Sequence, residues 1–505
     1  MRQTQRCSLC IRLALVPALR HIEVAGLLRW NARMHAPSGT QLSLKGSLCR
    51  SDAQHTVASW QGVGGNHMRH ERRTKSSDSQ RFGGSSTRST AAAPLPAIDR
   101  NARIAVVHDW CPNFRGGERV LARLCKIFPR AEVFTLFDFL PKDVKQEHFR
   151  DVVFHVSPMN RLPFVRKYYR SLFFLCPFMV EQFDVTGYDA VISSSAAFSR
   201  GVLTRPDQPH LCYVHSPVRY AWDEQFSYLQ QGGLGFGPKG LAFRYLLHNL
   251  RIWDVRTAHG PDLMLANSTY VRSRIQRIYG RDARVVHPPV AIQELEFVTD
   301  KSDYYVTAAF HAPYKRTDLI VEAFSKMPSR RLVVVGDDVQ SKHLRSIAGP
   351  NIVFTGYLPR HQYVEKIARA RAMVFAGCED FGIALAEAQA CGTPLIAFGR
   401  GGARDIVRPL GDSNHPTGVL FDKQTLGSLS TAIELFEANT TSIAPNACRL
   451  NAARFSEERF DLAICDALGI AQSVQSAREM GHNAYLGAES TARDISDSLA
   501  EATLP

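Results

Sequence analysis

The chain has 505 residues, 45% of them hydrophobic and 21% charged, enough apolar material for two or three packed domains and too much for wholesale disorder. No run of about 18 uninterrupted apolar residues occurs, which excludes an ordinary membrane-spanning helix. The net charge is +14, but the first 100 residues hold 15 bases and 5 acids while the other 405 carry only +4, so basicity is poor evidence that the body binds nucleic acid.

Residues 1–102 read as a basic, Ser- and Gly-rich extension, expected to be disordered. The text from 76 to 96 is Ser, Gly, Thr, Ala and Pro with little periodicity, the composition of a flexible linker. Residues 1–35 are Arg-rich and acid-poor around "LCIRLALVPAL", a run interrupted by Arg12 and lacking a convincing cleavage site. A targeting segment, a disordered arm and a start assigned too far upstream all remain open there. Cys7 and Cys10 form one Cys-x-x-Cys pair without the further ligands that zinc needs, so no metal site is expected. The other cysteines sit in apolar text such as "LARLCKIF", as reduced core thiols do.

Regular structure is expected from Arg103 onward. "RIAVVHDW" is a short apolar run ending in a turn, and in the following "GGERVLARLCKIF" Val120, Leu121, Leu124, Ile127 and Phe128 recur at helical spacing. Further strands are predicted at 132–136, 190–194, 211–215 and 263–266, then at 304–308, 331–335, 352–354, 373–376 and 394–397. Helical patterns such as "RTDLIVEAFSKM" and "FGIALAEAQA" lie between them. Strands apolar on both faces that alternate with helices indicate parallel sheets. The count exceeds one mononucleotide-binding sheet, and the irregular stretch 287–303 reads as a hinge. We therefore expect an α/β protein with two Rossmann-like doubly wound domains, 103–290 and 291–450, facing a central cleft. A helix at 451–470 is expected to pack back toward the first domain, before a loose tail at 471–505. Residues 161–179, "RLPFVRKYYRSLFFLCPFM", mix bases and aromatics. They read equally as a segment lying on a membrane interface and as a helical hairpin packed on the sheet.

The chemistry concentrates in "GCEDFGIALAEAQACGTPLIA". Glu379 and Glu387 are separated by seven residues, with Phe381, Gly382 and Ile383 at the start of a helix. Helical side chains slant toward the N-terminus, so both carboxylates could approach a helix end whose unpaired N–H groups suit a diphosphate. Carboxylates beside an anion site make sense if they grip neutral hydroxyls, since ionised oxygens only accept.

The segment resembles the paired-glutamate signature of retaining GT-B glycosyltransferases of family 4. "GGERVL" (116–121), "YVHSPVRYAWD" (213–223), "ANSTYVRSRI", "PYKRTDLIVEAF", "VVVGDD", "IVFTGYLPR", "GGARDIV" and "TGVLF" follow in family-like order over residues 103–465. The nearest look-alikes are bacterial mannosyltransferases that build O-antigen or exopolysaccharide repeats. The resemblance implies His215 beside the transferred sugar and Lys315 on the departing diphosphate. It further implies Gly116 and Gly117 as a phosphate-facing loop, Glu379 on sugar hydroxyls and Glu387 on the ribose diol. Many relatives carry an Arg where this chain has Phe310, so Arg316 either substitutes or the diphosphate clamp is weaker.

The reaction so implied is metal-independent transfer of a hexose, mannose from GDP-mannose in the first instance, to a polyprenyl-linked or growing glycan. It would take place in the cytoplasm or peripherally at the inner face of the plasma membrane, with no nucleic-acid partner. A UDP-hexose donor, a nucleotide-sugar epimerase and a non-catalytic sugar-nucleotide binder are the competing readings. Release of an epimerised donor without acceptor would mark the second of these, and binding without nucleotide release the third.

Overall fold

In a computed structural model of the chain, the structure describes residues 98–99, 101–308, 313–336 and 341–470. The expectations placed on the leading extension, on Cys7 and Cys10, on Phe310 and on the tail lie outside those residues.

Two all-parallel sheets organise the described residues. The first holds β1 (Ile104–His108), β2 (Glu132–Thr135), β3 (Phe154–Val156), β4 (Ala190–Ser195), β5 (His210–Val214), β6 (Leu263–Ala266) and β7 (Arg284–Val285), in the order β3-β2-β1-β4-β5-β6-β7. The second holds β8 (Ser302–Ala308), β9 (Leu332–Val335), β10 (Ile352–Gly356), β11 (Ala370–Phe375), β12 (Leu395–Phe398) and β13 (Gly418–Phe421), in the order β10-β9-β8-β11-β12-β13. Each is doubly wound: the order reverses between β1 and β4 in the first and between β8 and β11 in the second. Ligands of open parallel sheets collect beyond the strand carboxyl ends at such reversals.

The apolar runs explain the strands. All five residues of β1 are buried, and its neighbours present Val, Ile and Leu to both faces. The first connecting helix, α1 (Gly116–Ile127), lays Val120, Leu121 and Leu124 on the sheet. Its start is fixed by Glu118, whose carboxylate accepts the Arg115 N–H at 3.0 Å, and Lys126 stands in its last turn, where a cation complements the dipole.

Residues 161–179 form no hairpin. They break into 3-10 turns at Pro158–Arg161, Val165–Lys167 and Tyr169–Leu172 and a one-turn helix at Cys176–Val180. Val165, Tyr169, Leu172 and Phe173 plug the core beneath a long helix, α2 (Pro238–Thr257), with the Phe173 and Phe243 rings 5.3 Å apart. The last helix, α7 (Glu457–Ala467), is capped by Ser456, whose Oγ accepts the Arg459 N–H at 3.3 Å. Its Phe460, Ile464 and Cys465 are buried in the first sheet's core, and Arg123 of α1 pairs with Asp461 at 2.6 Å. Where the chain re-enters, Ser456 bridges Val290, and the Val290 N–H reaches the Phe455 carbonyl at 2.9 Å.

Candidate active site

At the reversal of the first sheet, His108 closes β1 and Ser194 stands opposite it in register on β4. The Ser194 hydroxyl lies 3.0 Å from His108 Nδ1 and 2.8 Å from Nε2 of His215, the residue just past β5. The His215 backbone is pinned on both sides, its N–H donating to Ser195 O and its carbonyl accepting from Asn267. Burial pushes the His215 imidazole down to about 3, helped by its proximity to His108, and burial also lowers His108. Both rings are therefore neutral near pH 7. Next door, the buried Asp109 carboxylate accepts four backbone N–H groups, from Ala196 through Ser199 at 2.6–2.8 Å, which fixes the loop after β4.

The glycine loop lies above this layer. A Cβ at Gly117 would sit 3.5 Å from His108 Cε1, so the ring lies directly beneath the first turn of α1. A Cβ at Gly116 would meet the Ile383 side chain at 3.0 Å. The first loop thus touches the first residue of α6 (Ile383–Ala390), which belongs to the other lobe.

At the second reversal, Lys315 follows β8 in the short turn Pro313–Lys315, and Glu379 sits in the loop after β11. Their Nζ and Oε1 are 2.6 Å apart. Burial opposes the Lys315 charge, but the Glu379 carboxylate outweighs it and raises the ammonium above its ordinary value. The close approach demands glycine: a Cβ at Gly377 would lie 2.8 Å from Lys315 Cα. Gly382 takes φ of +94° at the head of α6, a left-handed turn that frees the helix start toward the cleft.

Glu387, in the second turn of α6, is buried and already engaged. Arg119 of α1 reaches Oε1 at 2.6 Å. From α5 (Arg360–Ala368), Arg360 reaches the same atom at 2.8 Å, and the Tyr363 hydroxyl lies 3.2 Å from Oε2. Burial alone would raise its pKa, yet the two guanidinium groups hold it below the usual carboxylate range. A second ionic seam crosses the cleft nearby. Asp380 receives Arg219 at 2.8 Å and Arg274 of α3 (Thr269–Tyr279) at 3.1 Å, and the Thr269 N–H reaches Asp405 at 2.7 Å. Burial weakens the Arg219 charge, and Asp380 more than restores it.

The structure thus brings His215, Gly116, Gly117, Lys315, Glu379, Gly382 and Ile383 to the two facing reversals. It turns two expected residues elsewhere. Phe381 is buried, stacked on His287 with centroids 5.4 Å apart and against Phe455. Arg316 caps α4 (Thr317–Ser325) at φ of +53°, its Nε 3.2 Å from Asp318 in its own first turn. No cluster of three His, Cys, Asp or Glu able to hold a metal occurs among the described residues.

Sequence reasoning missed His108, Ser194, Arg119, Arg219 and Arg360. His108 carried the signal that singled out His215, a polar residue at the mouth of an apolar strand. Arg219 lies inside the segment 213–223. Arg119 gave no local sign, because its partner is 268 residues away.

Family models match in tandem: Glycosyltransferase Family 4 over residues 114–294 and Glycosyl transferases group 1 over 293–455. The chain is 28% identical over 335 residues to the GDP-Man:Man(3)GlcNAc(2)-PP-Dol alpha-1,2-mannosyltransferase of Neurospora crassa, covering 55% of this chain and 58% of that one. It is 25% identical over 211 residues to the GDP-mannose-dependent alpha-(1-6)-phosphatidylinositol monomannoside mannosyltransferase of Mycolicibacterium smegmatis, covering 35% and 53%. The chain thus spans little more than half the length of these two curated relatives. Among solved structures, sucrose-phosphate synthase from Thermosynechococcus elongatus is similar with a TM-score of 0.56 at 19% identity, over 72% of this chain and 96% of that one. Anabaena HepE in complex with UDP and glucose gives 0.53 at 17%, over 73% and 99%. With the two models matched end to end on two facing doubly wound sheets, the chain belongs to the GT-B glycosyltransferases of family 4.

Proposed function

We propose that the protein moves a hexosyl group, mannose from GDP-mannose, with retention of configuration, to a hydroxyl of a growing glycan carried on polyprenyl diphosphate. Such a step belongs to polysaccharide or O-antigen assembly at the inner face of the cytoplasmic membrane. The observation that carries the reading is the Lys315–Glu379 pair at one sheet reversal, opposite Gly116, Gly117 and His215 at the other. The relatives named above as GDP-mannose-dependent support the donor.

In this reading the anomeric C–O bond to the diphosphate breaks, leaving positive charge on the sugar ring and negative charge on the leaving group. Lys315 and the first-turn amides of α1 and α6 hold the diphosphate. Glu379 orients the sugar hydroxyls while its charge steadies the ring. The acceptor oxygen attacks from the face the diphosphate leaves, and its proton passes to a diphosphate oxygen. Glu387 takes the ribose diol, for which one of its guanidinium partners must yield an oxygen lone pair. Arg219, paired at 2.8 Å with Asp380 beside Glu379, is the cation best placed to make good the arginine this chain lacks.

The acceptor side of the reading rests on a surface. Leu241, Tyr245 and Ile252 are exposed along α2 at spacings of four and seven, flanked by exposed Phe226 and Phe236. Phe164 and Phe178 are exposed on the turns packed beneath that helix. Residues 161–178 and 225–253 together contain seven Lys and Arg and no acid. Apolar side chains among unbalanced cations suit an anionic bilayer surface. No described helix is long and apolar enough to cross one.

The donor is tested by thermal shift with GDP-mannose, UDP-glucose, UDP-galactose and UDP-N-acetylglucosamine. A ligand at a hundredfold excess over Kd stabilises the native state by about 2.7 kcal/mol. GDP-mannose is expected to give the largest shift, and Lys315→Ala and Glu379→Ala to abolish it. A larger shift with a UDP-hexose makes the UDP-dependent enzyme the correct reading. Unchanged shifts in both variants overturn the site. Membrane contact is checked by sedimentation with vesicles containing phosphatidylglycerol, which Tyr245→Asp with Ile252→Asp is expected to abolish.

A further inference from the structure

His215 stands at the first sheet reversal, and a second buried histidine, His108, shares its serine. The Ser194 hydroxyl is wholly buried, and its partners among the described residues are His108 Nδ1 and His215 Nε2. A hydroxyl has one proton and two lone pairs. If both ring nitrogens were bare, one would go unsatisfied. If both were protonated, the serine proton would have nowhere to point. With both rings neutral, the arrangement that satisfies every atom has one nitrogen donating to Ser194 and the other accepting from it.

The two asymmetric arrangements are not equivalent. The far nitrogen of His108, Nε2, lies 3.8 Å from the place a Cβ on Gly117 would occupy, under the first turn of α1. That turn of a twelve-residue helix gathers negative charge. An N–H pointing there complements a diphosphate, whereas a lone pair repels it. On this ground His108 carries its proton on Nε2 and accepts at Nδ1, the diphosphate outweighing the Ser194 carbonyl, which also faces the ring as an acceptor. Ser194 must then donate to His108 and accept from His215, which places the His215 proton on Nε2. The nitrogen left over, His215 Nδ1, has no partner among the described residues and presents a lone pair.

We propose that Ser194 and His108 are positioning residues that fix the tautomer of His215, so that its Nδ1 offers a lone pair to the transferred sugar. The inference rests on the proposed glycosyl transfer for its purpose and for the direction of the coupling, but the coupling itself does not. A lone pair is what a ring gaining positive charge prefers, and the matching N–H on His108 faces the group gaining negative charge. One uncharged chain of two hydrogen bonds across β1, β4 and β5 thus sets opposite polarities at the two ends of the breaking bond.

The test separates the coupling from the activity. The full chain labelled with 15N-histidine reports each imidazole tautomer through two-bond 1H–15N correlations, with His108→Gln and His215→Gln assigning the signals. Both rings are expected as Nε2–H tautomers in the wild type. In Ser194→Ala the His215 signal is expected to move toward a mixture of tautomers, while Ser194→Thr, which keeps the hydroxyl, restores it. Donor kcat is expected to fall about tenfold in Ser194→Ala with KM little changed, the size outer-layer partners commonly show, and to recover in Ser194→Thr. An Nδ1–H tautomer at either ring, or a His215 tautomer unmoved by Ser194→Ala, overturns the proposal. Tautomer coupling in a protein that turns over no nucleotide sugar upholds the coupling and refutes the proposed transfer.

Discussion

The two sheet reversals solve the same placement problem with opposite chemistry. In the first lobe the strand ends carry two neutral histidines joined through a hydroxyl and kept uncharged by burial. In the second they carry a lysine and a carboxylate locked at 2.6 Å, both charged. The difference teaches where each lobe expects charge. A neutral dipole chain can be aimed without an ion of its own to desolvate, so it suits a centre whose charge appears only in passing. A paired cation suits a leaving group that is anionic before, during and after the reaction.

The contrast can be broken from the charged side first. Lys315→Ala is expected to lower donor turnover about 10²–10³-fold, the usual loss of a preorganised electrostatic group. It also strands Glu379, so the Tm falls further than in the double variant Lys315→Ala with Glu379→Ala, a result read by calorimetry. A single variant no less stable than the double would mean the pair contributes little. Arg119→Ala comes next. It removes one of the two guanidinium groups on Glu387 and the salt bridge between the lobes, so donor KM is expected to rise about fivefold, or about 1 kcal/mol for a partly exposed pair. Small-angle scattering should show a larger radius of gyration.

A pH experiment sharpens the contrast at the glycine loop. Burial pushes Glu118, one residue beyond Gly117, up to about 7. The folded protein therefore holds this proton more tightly than the unfolded chain. The associated stability is complete below the ordinary carboxylate range and is lost as pH rises through 7. The Tm of the wild type is expected to fall between pH 4.5 and about 7 relative to Glu118→Gln, with donor affinity weakening around pH 7 as a carboxylate ionises beside the diphosphate. Parallel curves for the two proteins would contradict this. His215 should contribute no inflection above pH 5, since its proton is lost near 3. The smallest effect is expected at the crossover: Ser456→Ala removes the cap of α7 and costs about 1 kcal/mol in chemical denaturation.

Much of this was legible in the chain. Apolar runs ending in turns marked β1, β4, β5, β6, β8 and β11, because strands covered on both faces have no polar side to hide them. The glycine pair, His215, Lys315 and the two glutamates stood at those strand ends or helix starts. What escaped was short or distant. β3 and β7 have three and two residues, too few to show a period. Residues 161–179 failed as a hairpin because each 3-10 turn is shaped by the aromatic core around it and not by its own spacing. Glu387 was read as open to a ligand, since nothing local announces that Arg119 and Arg360 converge on it.

The chain passes between the lobes twice, near residue 290 and again near residue 456, and the two passages are bridged to each other. A single tether would let one half spin against the other. Two strands side by side resist torsion and leave bending about their common line as the soft motion. A bend about that line would keep to one arc, so the two sheet reversals would return to the same alignment each time.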